Sequence, residues 1–422
     1  MYKAVKGMND VLPGAGEAFL ESALWEHIEH VAARVLGQYG YRRAQVPIVE
    51  ETQLFARGLG DATDIVSKEM YTFSDRGDRS LTLRPECTAG VVRAYVEHGY
   101  GHKAPVQRWW YMGPMFRAER PQKGRYRQFY QIGAEFFGVA TPASDAETMI
   151  MLHRLCTELE LGDVTIKINS LGDPESRVAY RAALLDYLRP KAKQLCESCQ
   201  SRMETNPLRT LDCKRPECKS VMTLAPDVAD SLSLAAITHF KEVEALLAGA
   251  GVPCVREPRL VRGLDYYTGV IFEFSTSALG AQDAILGGGR YDSLVEELGG
   301  PSTPAVGFAV GVERLALLLS ARTKISSRPD LYLIPFPEVV AECMALAEDL
   351  RRTHGLRVEV DLAGGKLKTQ MKRADQSGAL HVMVLGADEI ASNTGKIKDM
   401  RSGESLPVVL ISDEIVCMIT KA

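Results

Sequence analysis

Two stretches decide the fold of this chain: WWYMGPMFRAE at 109–119 and YRQFYQIGAEFFG at 126–138. Both are long enough and apolar enough to form strands of a sheet. The segment between them, RPQKGR at 120–125, is too polar and basic to lie in a core. The simplest structure with this pattern is an antiparallel hairpin.

The polar residues of the hairpin fall on one face. Residues two apart in a strand point to the same side, so Arg117 projects with Glu119, and Arg127, Gln131 and Glu135 share a side of the second strand. Apolar residues occupy the opposite side. Such a face either binds a ligand or is a solvated surface, and the hairpin alone leaves both interpretations open.

Length and composition bound the class of protein. A chain of 422 residues should hold more than one domain, because single cores stop growing at roughly 250–300 residues. Apolar content of 46% and charged content of 25% are typical of a soluble globular protein. No apolar run approaches a transmembrane helix, and the first residues lack the apolar core of a signal peptide. We therefore expect a cytoplasmic protein without a membrane partner. The net charge of −4 neither requires nor excludes nucleic acid.

The pattern changes along the chain. Residues 17–37 predict an amphipathic helix, followed by an extended segment that stops at Pro47. Helical periodicity dominates 175–250 and strand signals return near Cys254, which predicts a helical insertion within a sheet domain. After a polar linker, ARTKISSRPD, strands alternate with helices and predict a small α/β unit with a mainly parallel sheet. Its expected elements are strands at 331–335, 356–361 and 380–386, helices at 339–353 and 368–376, a hairpin and a closing helix.

A turn in TLRPECTAG at 82–90 carries a carboxylate, Glu86, where it could hold an ammonium group. Thr88 is expected to cap a helix over 89–97. The alternative is a surface loop with an incidental acid.

Three further segments carry candidate binding residues. In VRGLDYYTGVIFEF, Arg262 could face an anion and Tyr266 with Tyr267 could wall a flat ligand, although adjacent tyrosines are also common in cores. In LGGGRYDSL, the three glycines have no side chains and therefore allow a ligand or another segment to approach the backbone closely. In VGFAVGVERLALLL, Arg314 lies near a helix start, a combination suited to polyphosphate. Neither a Walker loop nor a dinucleotide fingerprint is present.

The cysteines are nine in number, which fits a reduced compartment better than a disulfide framework. Four of them have the spacing C-x₂-C-x₁₃-C-x₄-C, at Cys196, Cys199, Cys213 and Cys218. This arrangement is plausible for a structural zinc ion, but the last spacing is longer than usual. Because cysteine is also a common buried residue, reduced thiols are the interpretation that the sequence favours.

In this order, the segments resemble the signature motifs of the histidyl-tRNA synthetase family, over nearly the whole chain. GYRRAQVPIVE, MFRAERPQKGRYRQF and GFAVGVERL are similar to motifs 1, 2 and 3 of class II synthetases. RGLDYYTG and GGGRYDSLVEELGG resemble the two motifs specific to the histidine enzymes. The resemblance implies an α+β fold, with an antiparallel-sheet catalytic domain at 1–172 and 254–322, a helical insertion at 173–253 and an α/β anticodon-binding domain at 328–422.

The resemblance also implies substrates and roles. ATP with Mg²⁺, L-histidine and tRNA(His) would be the substrates, and a homodimer would form through the helix at 17–37 and the strand that ends at Pro47. Implied ATP ligands are Arg117 on the α-phosphate, Glu119 on the adenine edge and Arg314 on the γ-phosphate, with Arg125 nearby. Arg262 would stabilise charge in the reaction. Implied histidine ligands are Glu86, Thr88, Gln131, Glu135, Arg262, Tyr266, Tyr267 and Tyr291. Implied tRNA contacts are Arg120 and Gln122 at the acceptor end. Lys366, Lys368, Lys372 and Arg373 are either phosphate contacts near the anticodon or a solvated helix face, and the sequence leaves both interpretations open.

One position departs from the family pattern RPEGTAG: Cys87 replaces the usual glycine. We expect negative φ there, with a partly exposed thiol beside the histidine pocket.

Rival interpretations are a non-catalytic synthetase-like regulatory subunit of ATP phosphoribosyltransferase, a synthetase for proline or threonine, and a sensor of uncharged tRNA. The anticodon domain argues against the regulatory subunit, and RGLDYY argues against a synthetase for proline or threonine. A sensor of uncharged tRNA would be expected to lack phosphate-binding arginines, yet this chain has Arg117, Arg262 and Arg314.

Overall fold

The computed structural model describes residues 2–60, 63, 65–122, 124–279, 283–322, 325 and 328–421. The chain divides into two compact units, residues 1–325 and 326–422. The linker predicted at 321–330 falls at this division, but its residues 323, 324, 326 and 327 lie outside the described residues. No helix within the described ranges has the length and apolar character needed to cross a membrane.

The strands of the first unit are β1 (Arg42–Arg43), β2 (Val49–Glu51), β3 (Tyr71–Ser74), β4 (Ser80–Leu83), β5 (Gln107–Phe116), β6 (Gln128–Phe137), β7 (Thr165–Ser170), β8 (Val255–Arg256), β9 (Val270–Ser275), β10 (Ala284–Arg290) and β11 (Ala305–Gly311). Its helices are α1 (Ser22–Gln38), α2 (Thr52–Leu59), α3 (Thr88–Glu97), α4 (Tyr100–Lys103), α5 (Pro142–Glu158), α6 (Pro174–Leu188), α7 (Glu197–Thr205), α8 (Pro216–Thr223), α9 (Leu234–Gly249), α10 (Leu294–Glu297) and α11 (Val312–Ser320).

An eight-stranded sheet, in the order β1-β5-β6-β11-β10-β9-β7-β8, forms the centre of this unit. Only the edge pairs β1–β5 and β7–β8 are parallel. The predicted hairpin is confirmed, because β5 pairs with β6 antiparallel from Gln107–Phe137 to Phe116–Gln128. Both strands are shorter than expected. Arg117 and Glu119 therefore lie beyond the end of β5, and the prediction that they share a strand face is wrong.

The two faces of β6 have different neighbours. Ile132, Ala134 and Phe136 are buried in a core shared with α1, α5 and α11, as the alternation predicts. The predicted helix at 17–37 is shorter, starting at Ser22 after a short 3₁₀ turn, and it buries its apolar stripe in the same core. The opposite face of β6 carries Gln131 and Glu135 toward a second core.

The segment predicted as an insertion is helical, as expected. The helices α6, α7 and α8 share a small core of their own, whereas the buried residues of α9 belong to the core of the main sheet. The whole segment belongs to the first compact unit. Its boundaries at 173 and 253 stay a prediction.

The second unit contains strands β12 (Leu331–Pro335), β13 (Val358–Val360), β14 (His381–Leu385), β15 (Thr394–Asp399) and β16 (Ser405–Val409), and helices α12 (Val340–His354), α13 (Leu367–Ser377), α14 (Ala387–Ser392) and α15 (Ser412–Lys421). The sheet order is β13-β12-β14-β15-β16. The first three strands are parallel and the last two form an antiparallel hairpin. The predicted α/β pattern is confirmed.

Candidate functional site

A cavity of about 390 Å³ opens on the polar face of the main sheet. We call it the sheet cavity. It brings together residues from β6, β10, β11, the turn before α3 and the segment before β9, which are far apart in sequence. The predicted site residues that line it are Glu86, Thr88, Arg117, Glu119, Arg125, Gln131, Glu135, Arg262, Tyr266, Tyr267, Tyr291 and Arg314. The alternative of a solvated sheet surface is therefore wrong.

Glu135 is the centre of a hydroxyl network in this cavity. Its carboxylate accepts hydrogen bonds from Thr88 Oγ1 at 2.8 Å, from the Tyr291 hydroxyl at 2.6 Å and from the Tyr111 hydroxyl at 3.3 Å. The side chain is only 1% exposed. Gly307 on the adjacent strand leaves the space, since a Cβ there would collide with this carboxylate. Glu135 is thus held in one orientation.

Burial is the largest influence on the pKa values of Glu135 and Glu86. It raises the pKa of Glu135 to about 8, against the opposing effect of the Tyr291 and Thr88 hydroxyls, and the nearby Glu86 adds to the rise. Burial also raises the pKa of Glu86, although backbone N–H groups and Arg117 oppose it. A bound cation would restore the charged forms of both acids, because an opposite charge favours the carboxylate.

Glu86 has a second contact that the sequence did not predict. Its carboxylate accepts hydrogen bonds from the backbone N–H groups of Thr88 at 2.6 Å and Ala89 at 2.9 Å. It therefore caps α3, which begins at Thr88 and whose N-cap residue, Cys87, makes no side-chain capping bond. The prediction that Thr88 caps this helix is wrong, because its hydroxyl is used by Glu135.

Cys87 lies in the same turn but not in the cavity lining. Its φ is −109°, so the expectation of negative φ is confirmed. The expectation of a partly exposed thiol is wrong, because Cys87 is 1% exposed and packs in the second core, with Arg84 donating to its sulfur at 3.6 Å. Burial raises the thiol pKa far above its usual value.

Three tyrosines form one wall of the sheet cavity. The rings of Tyr266 and Tyr267 lie 4.7 Å apart, and Tyr266 meets Tyr291 edge-on at 5.6 Å. All three are buried in the second core and also line the cavity, so the core interpretation of the adjacent tyrosines is confirmed, while their contact with a flat ligand stays a prediction.

Four of the arginines that line the cavity are predicted site residues, and two of them, Arg262 and Arg117, have well-defined partners. Arg262 pairs with Glu273 at 3.0 Å, and its Nε is buried without a hydrogen-bond partner among the described residues. Arg117 donates to the Pro85 carbonyl at 2.9 Å and lies over the Phe129 ring. Gly287 lies beside Arg262, and a Cβ there would displace the guanidinium from its present position.

The remaining two arginines, Arg125 and Arg314, lie close enough to influence each other. Arg125 pairs with Glu119 at 3.1 Å. Arg314 donates to the Ala284 carbonyl, and burial together with the charge of Arg125 lowers its pKa. The carboxylates of Glu273 and Glu119 oppose this lowering.

Gln131 adds an unpaired acceptor. Its Oε1 is buried and has no hydrogen-bond partner within the part of the chain that the structure describes. A buried polar atom of this kind costs free energy until a donor reaches it. A ligand N–H in the cavity would satisfy it.

Two predicted tRNA contacts lie elsewhere. Arg120 and Gln122 are exposed in the connection between β5 and β6 and do not line the sheet cavity. In the second unit, Lys366, Lys368 and Lys372 are exposed on or beside α13, whereas Arg373 forms a two-bond ion pair with Asp361 at 2.7 and 2.8 Å.

Sequence reasoning missed several residues. The cavity lining includes Arg202, Arg209 and Asp212 from the helical segment. Arg209 Nη1 is buried without a hydrogen-bond partner in the described ranges. Glu313 also lines the cavity and accepts from the Tyr130 N–H at 2.9 Å, which ties α11 to β6. Of these residues, only Glu313 could have been found from the sequence, because it directly precedes the predicted phosphate ligand Arg314.

A buried ion pair between Asp145 and Arg290 lies next to a strand that lines the cavity. Asp145 is 0% exposed and accepts from Arg290 at 2.9 Å and from His239 Nε2 at 2.7 Å. The pair joins α5, β10 and α9, so it fixes the strand that carries the LGGG segment.

The four clustered cysteines come together outside this cavity. All four sulfurs lie within 4.8 Å of one another, three of the residues being buried and Cys213 half-buried. No disulfide joins any cysteine of the described chain.

Comparison with known proteins agrees with this architecture. The family model for histidyl-tRNA synthetase matches residues 7–315, and one for an anticodon binding domain matches residues 330–417. The chain is 47% identical to the histidine–tRNA ligase of Geobacter sulfurreducens, over 100% of both chains, and 50% identical to that of Anaeromyxobacter sp. (strain K), over 96% of this chain and 97% of the relative. The apo histidyl-tRNA synthetase of S. aureus matches with a TM-score of 0.78 and 35% identity, covering 100% of this chain and 99% of the other. Because the matching model spans most of the chain and the relatives match from end to end, the chain belongs to the histidyl-tRNA synthetase family.

Proposed function

We propose that this chain activates L-histidine with ATP and Mg²⁺ to histidyl-adenylate and transfers the histidyl group to tRNA(His). Membership of the family makes it an aminoacyl-tRNA synthetase. The observation that supports the proposal best is the meeting of buried acids, tyrosines and arginines in a single cavity. Such a cavity suits a ligand that is cationic at one end and polyanionic at the other.

The acidic part is proposed to bind histidine. Glu86, Glu135 and Gln131 would receive its ammonium and imidazole N–H groups, with Thr88 beside them. Two buried carboxylates and an unpaired amide oxygen all gain from a cationic donor. The tyrosines 266, 267 and 291 would enclose the imidazole, which is flat and aromatic.

The arginines are proposed to bind ATP. Arg117 would hold the α-phosphate, Glu119 the adenine edge, and Arg125 with Arg314 the γ-phosphate. Guanidinium groups suit phosphates because they donate two parallel hydrogen bonds. Mg²⁺ would enter with the nucleotide and be held largely by the phosphates and water.

Catalysis is then electrostatic. The histidine carboxylate attacks the α-phosphorus and pyrophosphate leaves, so no covalent bond to the protein is needed. Arg262 is proposed to stabilise the negative charge that grows during this step. Its buried Nε, unpaired among the described residues, is a donor available to that charge.

Binding of tRNA is proposed through both units. Arg120 and Gln122 would meet the acceptor end, and Lys366, Lys368 and Lys372 the anticodon region. Arg373 would act indirectly, since its Nε and Nη2 already donate to Asp361. A tRNA substrate implies a cytoplasmic site of action.

A homodimer is also proposed. The apolar stripe of α1 is buried within its own chain, so the interface would use neighbouring exposed residues. Ile48 and Val49, directly after Pro47, are 41% and 37% exposed. Sedimentation of a stable monomer at micromolar concentration would exclude this arrangement.

The charging reaction tests the function directly. Purified protein with ATP, Mg²⁺, labelled histidine and tRNA(His) should transfer label to the tRNA, and omission of ATP should abolish the transfer. Charging of tRNA with proline or threonine instead would overturn the assignment. Complete failure with either set of substrates would favour the regulatory-subunit alternative.

A further inference from the structure

The helical segment holds a cluster of thiols that the proposed chemistry does not use. Cys196 precedes α7 and Cys199 lies in its first turn, while Cys218 lies in the first turn of α8. Cys213 lies in the connection between these helices. Three separate pieces of backbone therefore meet at four sulfur atoms that lie within 4.8 Å of one another.

The separations match a single tetrahedral metal ion. Zinc binds thiolates at about 2.3 Å, which places the sulfurs of a tetrahedron roughly 3.8 Å apart. The sulfurs of Cys196 and Cys213 are 4.0 Å apart. A cluster of several iron atoms would spread the four thiolates more widely, because they would bind different irons.

A hydrogen bond supports the same interpretation. The backbone N–H of Cys196 donates to the Cys218 sulfur at 3.3 Å. Donors of this kind orient metal ligands and stabilise thiolate charge. The basic residues that follow two of the cysteines, Lys214, Arg215 and Lys219, would further offset the negative charge of a four-thiolate site.

We propose that Cys196, Cys199, Cys213 and Cys218 bind one zinc ion in a closed structural site. Each thiol that binds gives up its proton to solvent, and no redox step is involved. The C-x₄-C spacing that disfavoured zinc in the sequence is accommodated because α8 begins between the last two cysteines and turns Cys218 back toward the others.

The ion has a structural consequence for the sheet cavity. Arg202 lies on α7, and Asp212 directly precedes Cys213. Both line the cavity. The core of α6–α8 is small, so the ion would fix these two residues where apolar packing alone is limited. This role does not depend on which amino acid the protein activates.

Elemental analysis of the untagged full-length protein, purified without chelator, tests the proposal. We expect about one zinc ion per chain. The double variant Cys196→Ser/Cys218→Ser should retain less than about a tenth of an ion, whereas Cys254→Ser, which alters a half-buried thiol outside the cluster, should retain it all. Iron in place of zinc, or zinc retained by the double variant, would overturn the assignment.

Two measurements on the unaltered chain guard against misfolded variants. A mercurial reagent should release zinc in proportion to the thiols it modifies, and a chelator should lower the midpoint of thermal unfolding. Cobalt substituted for zinc should absorb visible light as a tetrahedral thiolate complex. Protein that contains no metal after exposure to zinc, with four freely reactive thiols, would contradict the proposal.

Discussion

Replacement of Arg262 by alanine is the sharpest test of the proposed chemistry. This arginine lines the sheet cavity, pairs with Glu273 at 3.0 Å and has an Nε without a hydrogen-bond partner among the described residues. If it stabilises charge only as the carboxylate attacks, its loss should slow activation without weakening the binding of histidine or ATP.

The size of the effect follows from its surroundings. Two unit charges about 4 Å apart near a protein surface interact by about 4 kcal/mol, and only part of a charge develops during the step. Loss of one donor to a developing oxyanion typically costs about 2.7–4 kcal/mol. Because Glu273 already neutralises part of Arg262, we take the lower end, which corresponds to a rate about 10²-fold slower.

The assay is ATP–pyrophosphate exchange, with kcat and KM measured separately for histidine. Arg256→Ala is the matched control, because it removes an arginine that forms an exposed ion pair with Asp227 and does not line the cavity. The control should keep its kcat. A loss in Arg262→Ala that appears only in KM would show that Arg262 binds the ground state, and the electrostatic role would be refuted.

Three other predictions concern stability. Arg290→Met removes the arginine that pairs with the buried Asp145 and leaves this carboxylate with its His239 contact, so urea unfolding should show a loss of about 3 kcal/mol, and adding Asp145→Asn should restore part of it. Cys87→Gly removes a buried thiol and should lower the free energy of unfolding by about 1 kcal/mol, with the KM for histidine unchanged; a lower KM would return Cys87 to the pocket. The pKa of Glu135, about 8 when folded against a usual 4.5, means that the empty folded protein keeps a proton that the unfolded chain has lost. Its unfolding free energy should therefore fall as pH rises through this window, by up to about 1.4 kcal/mol per unit, and urea midpoints of Glu135→Gln should show a flatter dependence; equal slopes would refute this.

The fold followed from the sequence where local pattern decides it. The β5–β6 hairpin was predictable because alternation sets which side of each strand is buried, and the polar face of Gln131 and Glu135 did turn toward a site. In the second unit, β12 matches its predicted range because an apolar strand between a polar linker and a helix leaves little choice.

The wrong predictions concern side chains whose role or burial depends on tertiary contacts. Glu86 caps α3 in place of Thr88, because a hydroxyl network around Glu135, more than forty residues away, uses the Thr88 side chain. Cys87 is buried because α3 packs its first turn into the second core, which spacing alone does not reveal. Arg202 and Asp212 line the cavity because of the way the helical segment packs, which its helical periodicity does not specify.

The amino-acid dependence of ATP–pyrophosphate exchange tests the central claim most directly. The unaltered protein is assayed with each standard amino acid in turn at saturating ATP and Mg²⁺. Our account predicts exchange with histidine and with no other, because the acids and the buried Gln131 oxygen of the sheet cavity suit the N–H groups of an imidazole and an ammonium. Exchange driven equally well by proline or threonine, or no exchange with histidine, would contradict it.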